Sequence, residues 1–278
     1  MNNNSSTSEL RLSKNERLSL ETNSIFKPRN FKNLKPKAFD IFTFNAGFKK
    51  RLDDLLIIVF KDIVNVQCIY SKTSTPSAPI IWDKKNNKGK VKALIVNSGN
   101  ANAHTGKEGL NIINNYVKFL TKFIGCKKSE ILVSSTGVIG ETFDPLLITS
   151  KIPKIITNNK NSLLDAAKSI MTTDTYPKIS IKNFKIKNKN FKMYGIAKGS
   201  GMIQPNMATT LGYIFTDADL SNEILKKLLK KNVTNTFNAI SCDGDTSTND
   251  MITIFSTGKA KHLKVNSVND KKIKDFEI

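Results

Sequence analysis

Short apolar runs rich in β-branched residues recur along the chain, at Leu55–Phe60, Asn65–Tyr70, Ala93–Val96, Ile131–Val133, Leu211–Phe215 and Met251–Phe255. Runs of this length and composition signal strands, because branched and aromatic side chains fit a pleated, half-buried surface. Helical spacing separates only some of them. Leu110, Ile113, Tyr116, Val117, Leu120, Phe123 and Ile124 repeat at one helical face, and Gly125 stops the pattern. A second helical pattern covers about Leu163–Met171. A third begins near Ser221, with Glu223 in its first turn and Leu225, Leu228 and Leu229 as its apolar stripe. The Lys- and Asn-rich stretch Ile179–Ile196 alternates apolar residues and reads as a hairpin. Strands mixed with helices, without a regular strand–helix–strand rhythm, predict an α+β layered fold.

Composition excludes several function classes. The 278 residues are 39% hydrophobic, enough for a real core and too many for a disordered chain. A net charge of +21 invites nucleic acid. Arginine, however, occurs only at Arg11, Arg17, Arg29 and Arg51, and fork-like recognition of phosphates and base edges favours arginine. Lysine spread along the whole chain reads as a solvated surface, so no nucleic-acid partner is expected. Cys68, Cys126 and Cys242 are far apart and form no zinc or CxxC spacing, which suits a reducing interior. The first residues, 1–35, read as a polar, flexible leader without the apolar segment of a secretory signal. The longest apolar run, Leu55–Phe60, is far too short to span a bilayer. A cytoplasmic protein away from membranes is the expectation.

The choice of nucleophile is narrow. His104 lies in a turn and His262 in a Lys-rich segment, so neither suits a Ser–His–Asp relay. No cysteine sits in a visible Cys–His setting. A threonine that becomes a chain N-terminus by self-cleavage needs no histidine, because its α-amine, with an ordinary pKa of about 7.7–8, takes the hydroxyl proton. The surroundings of Thr209 fit this: Ala208 before it, the strand Leu211–Phe215 after it, and Gly199–Ser200–Gly201 as an approach. A Thr-Thr pair opening a strand is equally what β propensity produces.

Acyl transfer also needs donors for a tetrahedral oxyanion. Thr136–Gly137, in a turn leaving a strand, offers a hydroxyl and a backbone N–H, and is also an ordinary strand exit. Lys198 is placed to hold a substrate carboxylate, and Thr172 is a polar contact or a local cap. The loop Asp243–Asp250 has hard-cation chemistry but lacks the spacing and final Glu of a calcium loop, so turn building is its reading and no metal is assigned.

Six stretches taken together resemble the ornithine acetyltransferase (glutamate N-acetyltransferase) family of arginine biosynthesis. They are Asn97–Gly106 (NSGNANAHTG), Ser134–Gly140 (SSTGVIG), Met171–Thr175 (MTTDT), Ala197–Leu211 (AKGSGMIQPNMATTL), Thr216–Ala218 and Asp243–Asp250 (DGDTSTND), in the family's order over roughly residues 40–260. The resemblance implies a layered α/β sandwich of the ornithine acetyltransferase / DmpA-aminopeptidase type. It implies self-cleavage at Ala208–Thr209 into an α chain, residues 36–208 after the leader, and a β chain starting at Thr209 and running to residue 278. It makes Thr209 the nucleophile and Thr210 structural, with an oxyanion hole at Thr136 and Gly137 and substrate contacts at Thr172, Lys198 and Thr209.

The implied chemistry is ping-pong: Thr209 takes acetyl from N-acetylornithine, releases ornithine, and passes acetyl to glutamate. No cofactor is implied, although acetyl-CoA serves some members as a co-substrate. The implied assembly is a heterotetramer of two α and two β chains. Family members run considerably further and carry more substrate-binding residues, a Glu and C-terminal Asn and Thr/Ser positions, that find no counterpart here. The expectation is therefore a C-terminally incomplete β chain. An N-terminal-nucleophile aminopeptidase or amidase of related fold, or an inactive fragment, is the alternative.

Overall fold

Strands buried on both faces have to be covered from both sides, and that requirement organises this chain into layers. The structure is a computed structural model, described over residues 34–158, 160–186, 189–203, 210–245, 247–260, 265 and 267–268. The leader up to residue 33, the Ala208–Thr209 junction and His262 lie outside the described residues. The strands are β1 (Phe39–Phe44), β2 (Leu55–Tyr70), β3 (Lys90–Asn100), β4 (Ile131–Val138), β5 (Lys178–Ile186), β6 (Lys189–Lys198), β7 (Leu211–Ala218) and β8 (Met251–Ala260). The helices are α1 (Ala78–Asn86), α2 (Gly106–Ile124), the single turns α3 (Leu146–Thr149) and α4 (Lys154–Thr157), α5 (Leu163–Ser169) and α6 (Asn222–Val233).

The ladder runs β4-β3-β2-β8-β7-β6-β5, with β1 also paired to β2. The two runs expected at Leu55–Phe60 and Asn65–Tyr70 are one long strand. Pairing with β3 shifts register between Val59 and Val64, so the halves of β2 serve different neighbours. Leu55–Phe60 lies against β1 and, through Val59, β3, whereas Asn65–Tyr70 lies against β8. The sheet thereby doubles over on itself. Leu56, Ile58, Phe60, Leu94, Val96 and Leu132 of one half share a core with Leu211, Tyr213, Phe215, Met251 and Phe255 of the other. Phe215 stacks on Phe255 with ring centroids 4.9 Å apart and meets Phe39 at 4.6 Å. Truncating such a ring to alanine costs about 3–5 kcal/mol.

The alternate residues point outwards to helices. Leu55, Ile57, Ala93, Ile95, Ile131 and Val133 pack under α1 and α2 through Trp82, Ile113, Tyr116 and Val117. Ile252, Ile254 and Ala218 pack under α6 through Ile224, Leu225 and Leu228. The result is the predicted α+β layered sandwich: helices, sheet, sheet, helix. α5 packs Leu163, Ala166 and Ala167 into the space between the sheets. Helix boundaries follow local chemistry. Gly125 ends α2 at φ 69°, Ser162 and Asp165 form a reciprocal cap on α5, and the Ser221 hydroxyl accepts from the Ile224 N–H at the start of α6. The second helical pattern stops at Ser169, two residues earlier than expected, which frees Met171–Asp174 to form a turn. Among the described residues no helix is long and apolar enough to cross a membrane.

Candidate active site

Four segments end at one place. β4 exits through Thr136 and Gly137, β6 ends at Lys198, α5 is followed by Thr172 and Thr173, and the loop before β8 supplies Ser247, Thr248 and Asn249. They line one cleft of about 710 Å³, within the range of small-molecule sites. Thr136, Gly137, Thr172 and Lys198, all singled out from the sequence, are therefore brought together.

The turn at Thr136–Gly137 is built by close backbone approach. β3 and β4 run parallel with Ser98 opposite Thr136 and Gly99 opposite Gly137. Gly137 has φ 133°, and a Cβ there would lie 2.2 Å from the Gly99 carbonyl carbon and 2.6 Å from the Asn100 nitrogen. Only glycine fits. The asparagines of the 97–106 stretch fasten this crossing. Asn97 donates to the Asn100 carbonyl at 2.8 Å and accepts from the Ser135 hydroxyl at 2.6 Å. Asn100 donates to the Glu141 carbonyl, and Asn102 to the Gly109 carbonyl. His104, at φ 57°, belongs to the turn leading into α2.

Lys198 is 5% exposed, and its Nζ donates to Thr136 Oγ1 at 2.7 Å. Burial pulls its pKa below the ordinary 10.5, against the opposing pull of Asp174 and Asp250. Among the described residues Thr136 Oγ1 is its one hydrogen-bond partner, so two of the ammonium's three donors remain for an anion. The bond also polarises the threonine, whose own O–H stays available to donate.

Asp174 holds the neighbouring turn. Its carboxylate, 1% exposed, accepts from the N–H groups of Thr172 (3.2 Å) and Gly199 (2.9 Å) and pairs with Lys178. Burial alone would raise its pKa, but these donors outweigh it and hold the group below its ordinary value. Asp174 thus ties Thr172 to the end of β6 beside Lys198. In the acidic loop, Asp243 Oδ1 accepts from the N–H groups of Asp245 and Ile203, which is turn building.

Lys49 and Asn249, which also line the cleft, were not singled out in the sequence. Lys49 Nζ donates to Ser98 Oγ and to the carbonyls of Met171 (2.6 Å) and Ser169 (3.4 Å), spending its donors on the fold. Burial first, with Lys198 adding to it, lowers its pKa against Asp54 and Asp174. In a chain with 44 Lys and Arg residues nothing local marks this one. Asn249, 8% exposed, donates through Nδ2 to the Ala101 carbonyl (2.7 Å) and the Ser135 carbonyl (2.8 Å). It lay in a recognised stretch, but only the folded chain shows that it reaches β4.

Thr209 lies outside the described residues, but the strand it precedes is placed. Leu211 pairs with Lys198 on one side and Met251 on the other. The Thr210 carbonyl accepts from the Met251 N–H at 3.1 Å. β7 therefore begins between the two elements that deliver Lys198 and Asn249 to the cleft, and residue 209 is one peptide link, about 3.8 Å between Cα atoms, from Thr210.

Known proteins share this sequence and arrangement. The profile of the ArgJ family matches residues 40–277. The arginine biosynthesis bifunctional protein ArgJ of Bradyrhizobium diazoefficiens is 42% identical over 241 residues, covering 84% of this chain and 58% of the relative. This chain thus spans somewhat more than half the length of that relative. Among solved structures, ArgJ of Bacillus halodurans superposes with a TM-score of 0.56 at 32% identity, covering 62% of this chain and 92% of that one. The ornithine acetyltransferase of Mycobacterium tuberculosis, solved with ornithine, gives 0.56 at 26% identity, covering 62% and 93%. On the extent of these matches, the chain belongs to the ArgJ family.

Proposed function

We propose that this chain carries the acetyl-transfer centre of a glutamate N-acetyltransferase, with Thr209 as the nucleophile released by self-cleavage after Ala208. The observation that carries the reading is the convergence of Thr136, Gly137, Thr172 and Lys198 on one cleft beside the start of β7. Each group has a role that suits the chemistry. The α-amine of a chain-terminal Thr209 takes the hydroxyl proton, and the hydroxyl attacks the acetyl carbonyl of N-acetylornithine. The Thr136 hydroxyl and the Gly137 N–H stabilise the oxyanion, each worth roughly 10²–10³ in rate. Lys198 holds the substrate carboxylate, and Thr172, which also lines the cleft, is a further substrate contact. Ornithine leaves with the proton, and glutamate then takes the acetyl group from Thr209 by the reverse path.

Division into an α chain ending at Ala208 and a β chain from Thr209 is part of this proposal. A length relation supports it. Because 62% of this chain fills 92% of the solved Bacillus halodurans chain, that chain is shorter than this one, whereas the Bradyrhizobium relative is longer. A precursor divided into two polypeptides gives this pattern. An assembly of two α and two β chains, a cytoplasmic location, the absence of a cofactor and acetyl-CoA as an additional donor are carried as parts of the same proposal. The test is an exchange assay with N-acetylornithine and glutamate. Acetylglutamate and ornithine formed in equal amounts support the proposal. Release of free acetate from N-acetylornithine without transfer would assign a hydrolase or amidase instead.

A further inference from the structure

The Asn249 side chain is anchored at one end and unsatisfied at the other. Its two carboxamide contacts both go to carbonyl oxygens, of Ala101 and Ser135, at 2.7 and 2.8 Å. A carbonyl oxygen only accepts, so the group facing them must be the NH₂, and the orientation of the amide is settled by its partners. Both donors are then used. The remaining atom, Oδ1, is buried and accepts no hydrogen bond among the described residues. Asn249 lines the cleft, and a buried acceptor left without a donor is costly. Its position is fixed by neighbours on both sides. The Ser77 N–H donates to the Thr248 carbonyl, the Ser71 N–H to the Asp250 carbonyl, and the Asn249 N–H to Ser247 Oγ.

The acceptor has a complement in the same cleft. Lys198 binds Thr136, and Asn249 binds Ser135, the preceding residue of β4. Among the described residues, a cation with two unused donors and a neutral acceptor with no donor are thus fastened to consecutive residues of one strand. An α-amino acid presents the matching pair, a carboxylate and a nitrogen on the same carbon.

We propose that Asn249 Oδ1 accepts a hydrogen bond from the α-nitrogen of the amino-acid substrate, while Lys198 takes its carboxylate. The assignment rests on the acetyl-transfer reading, in which the α-nitrogen carries the transferred group. It makes Asn249 a substrate-binding residue that orients the nitrogen, and it explains why an asparagine, rather than an aspartate, suits both N-acetylornithine and the neutral amine that must attack.

The test is calorimetric titration of the 278-residue protein with ornithine and with 5-aminopentanoate, which keeps the carboxylate and the distal ammonium but lacks the α-nitrogen. Wild type should bind ornithine roughly ten- to a hundred-fold more tightly, the range of one buried hydrogen bond to a charged donor. Asn249→Ala should lose that preference while its affinity for 5-aminopentanoate stays within about two-fold. A general distortion would weaken both ligands together and overturn the assignment. Equal wild-type affinity for the two ligands overturns it too, whether or not any variant folds. Loss of chain cleavage with the ligand preference intact would move the acceptor to the amine of Thr209 and likewise overturn it. Wild type that binds neither ligand removes the acetyl-transfer reading itself, whereas ornithine binding insensitive to Asn249→Ala removes only this inference.

Discussion

Gly137→Ala tests the close crossing of β3 and β4 on which the oxyanion turn depends. Two costs add. The backbone at Gly137 has φ 133°, a conformation that strains an L residue by about 1–3 kcal/mol. The new Cβ would also lie 2.2 Å from the Gly99 carbonyl carbon and 2.5 Å from its oxygen. Carbon contacts settle near 3.5–4.0 Å, so the two strand ends must part by roughly 1 Å. Backbone cannot rotate aside as a flexible side chain can, and overpacking of this kind adds about 1–3 kcal/mol. The expected loss is about 2–6 kcal/mol in urea unfolding. A shift of 1 Å in a positioned donor costs about 10² in rate, so kcat for acetyl exchange should fall by about 10²–10³ with a smaller change in KM. Gly140→Ala is the control. Its φ is also positive, at 89°, but nothing lies within 4 Å of its Cβ, so only the strain of about 1–3 kcal/mol applies. Equal losses in the two variants, or a Gly137→Ala enzyme with unchanged kcat, would refute the argument from close approach.

Other expectations follow from the same geometry. Because burial lowers the Lys198 pKa, affinity for the substrate carboxylate should fall as pH rises through a value below 10.5, seen as a rise in KM. Lys198→Met should abolish that limb and raise KM at neutral pH. Asp83 is buried, its Oδ2 has no partner among the described residues, and burial raises its pKa well above 3.8 despite the Val133 N–H bonded to Oδ1. A raised carboxyl pKa contributes stability below pH 3.8 that is lost as pH rises through the folded value. Asp83→Asn should therefore raise the melting temperature at pH 7–8 and flatten its dependence on pH. Asp174→Ala should lower stability by about 2–4 kcal/mol, from loss of two charge-assisted backbone bonds and the Lys178 pair, and should weaken substrate binding by loosening Thr172 from the end of β6.

The sequence shows the strands more readily than their arrangement. Leu55–Phe60 and Asn65–Tyr70 read as two strands because lysine and aspartate at 61 and 62 interrupt the apolar run. In the fold those residues bridge a register shift within one strand. β1 went unmarked although four of its six residues, FDIFTF, are apolar. α1 was missed because polarity does not follow its faces: Ile81 is exposed and Asp83 buried, so the apolar residues set no helical period. At the site, Thr136, Gly137, Thr172 and Lys198 were legible through their motifs. Lys49 and the second attachment of Asn249 were not, because both depend on pairings between residues more than 100 positions apart. Local residue types carry no record of such pairings.

The central claim, that Thr209 becomes a chain terminus and acts as the nucleophile, is tested most directly by intact-mass spectrometry of the purified protein after incubation with N-acetylornithine. The account predicts two polypeptides divided between Ala208 and Thr209, an acetyl group on the one that begins at Thr209, and a single unacetylated chain for Thr209→Ala. A wild-type protein that remains one uncut chain while transferring acetyl at full rate would contradict it.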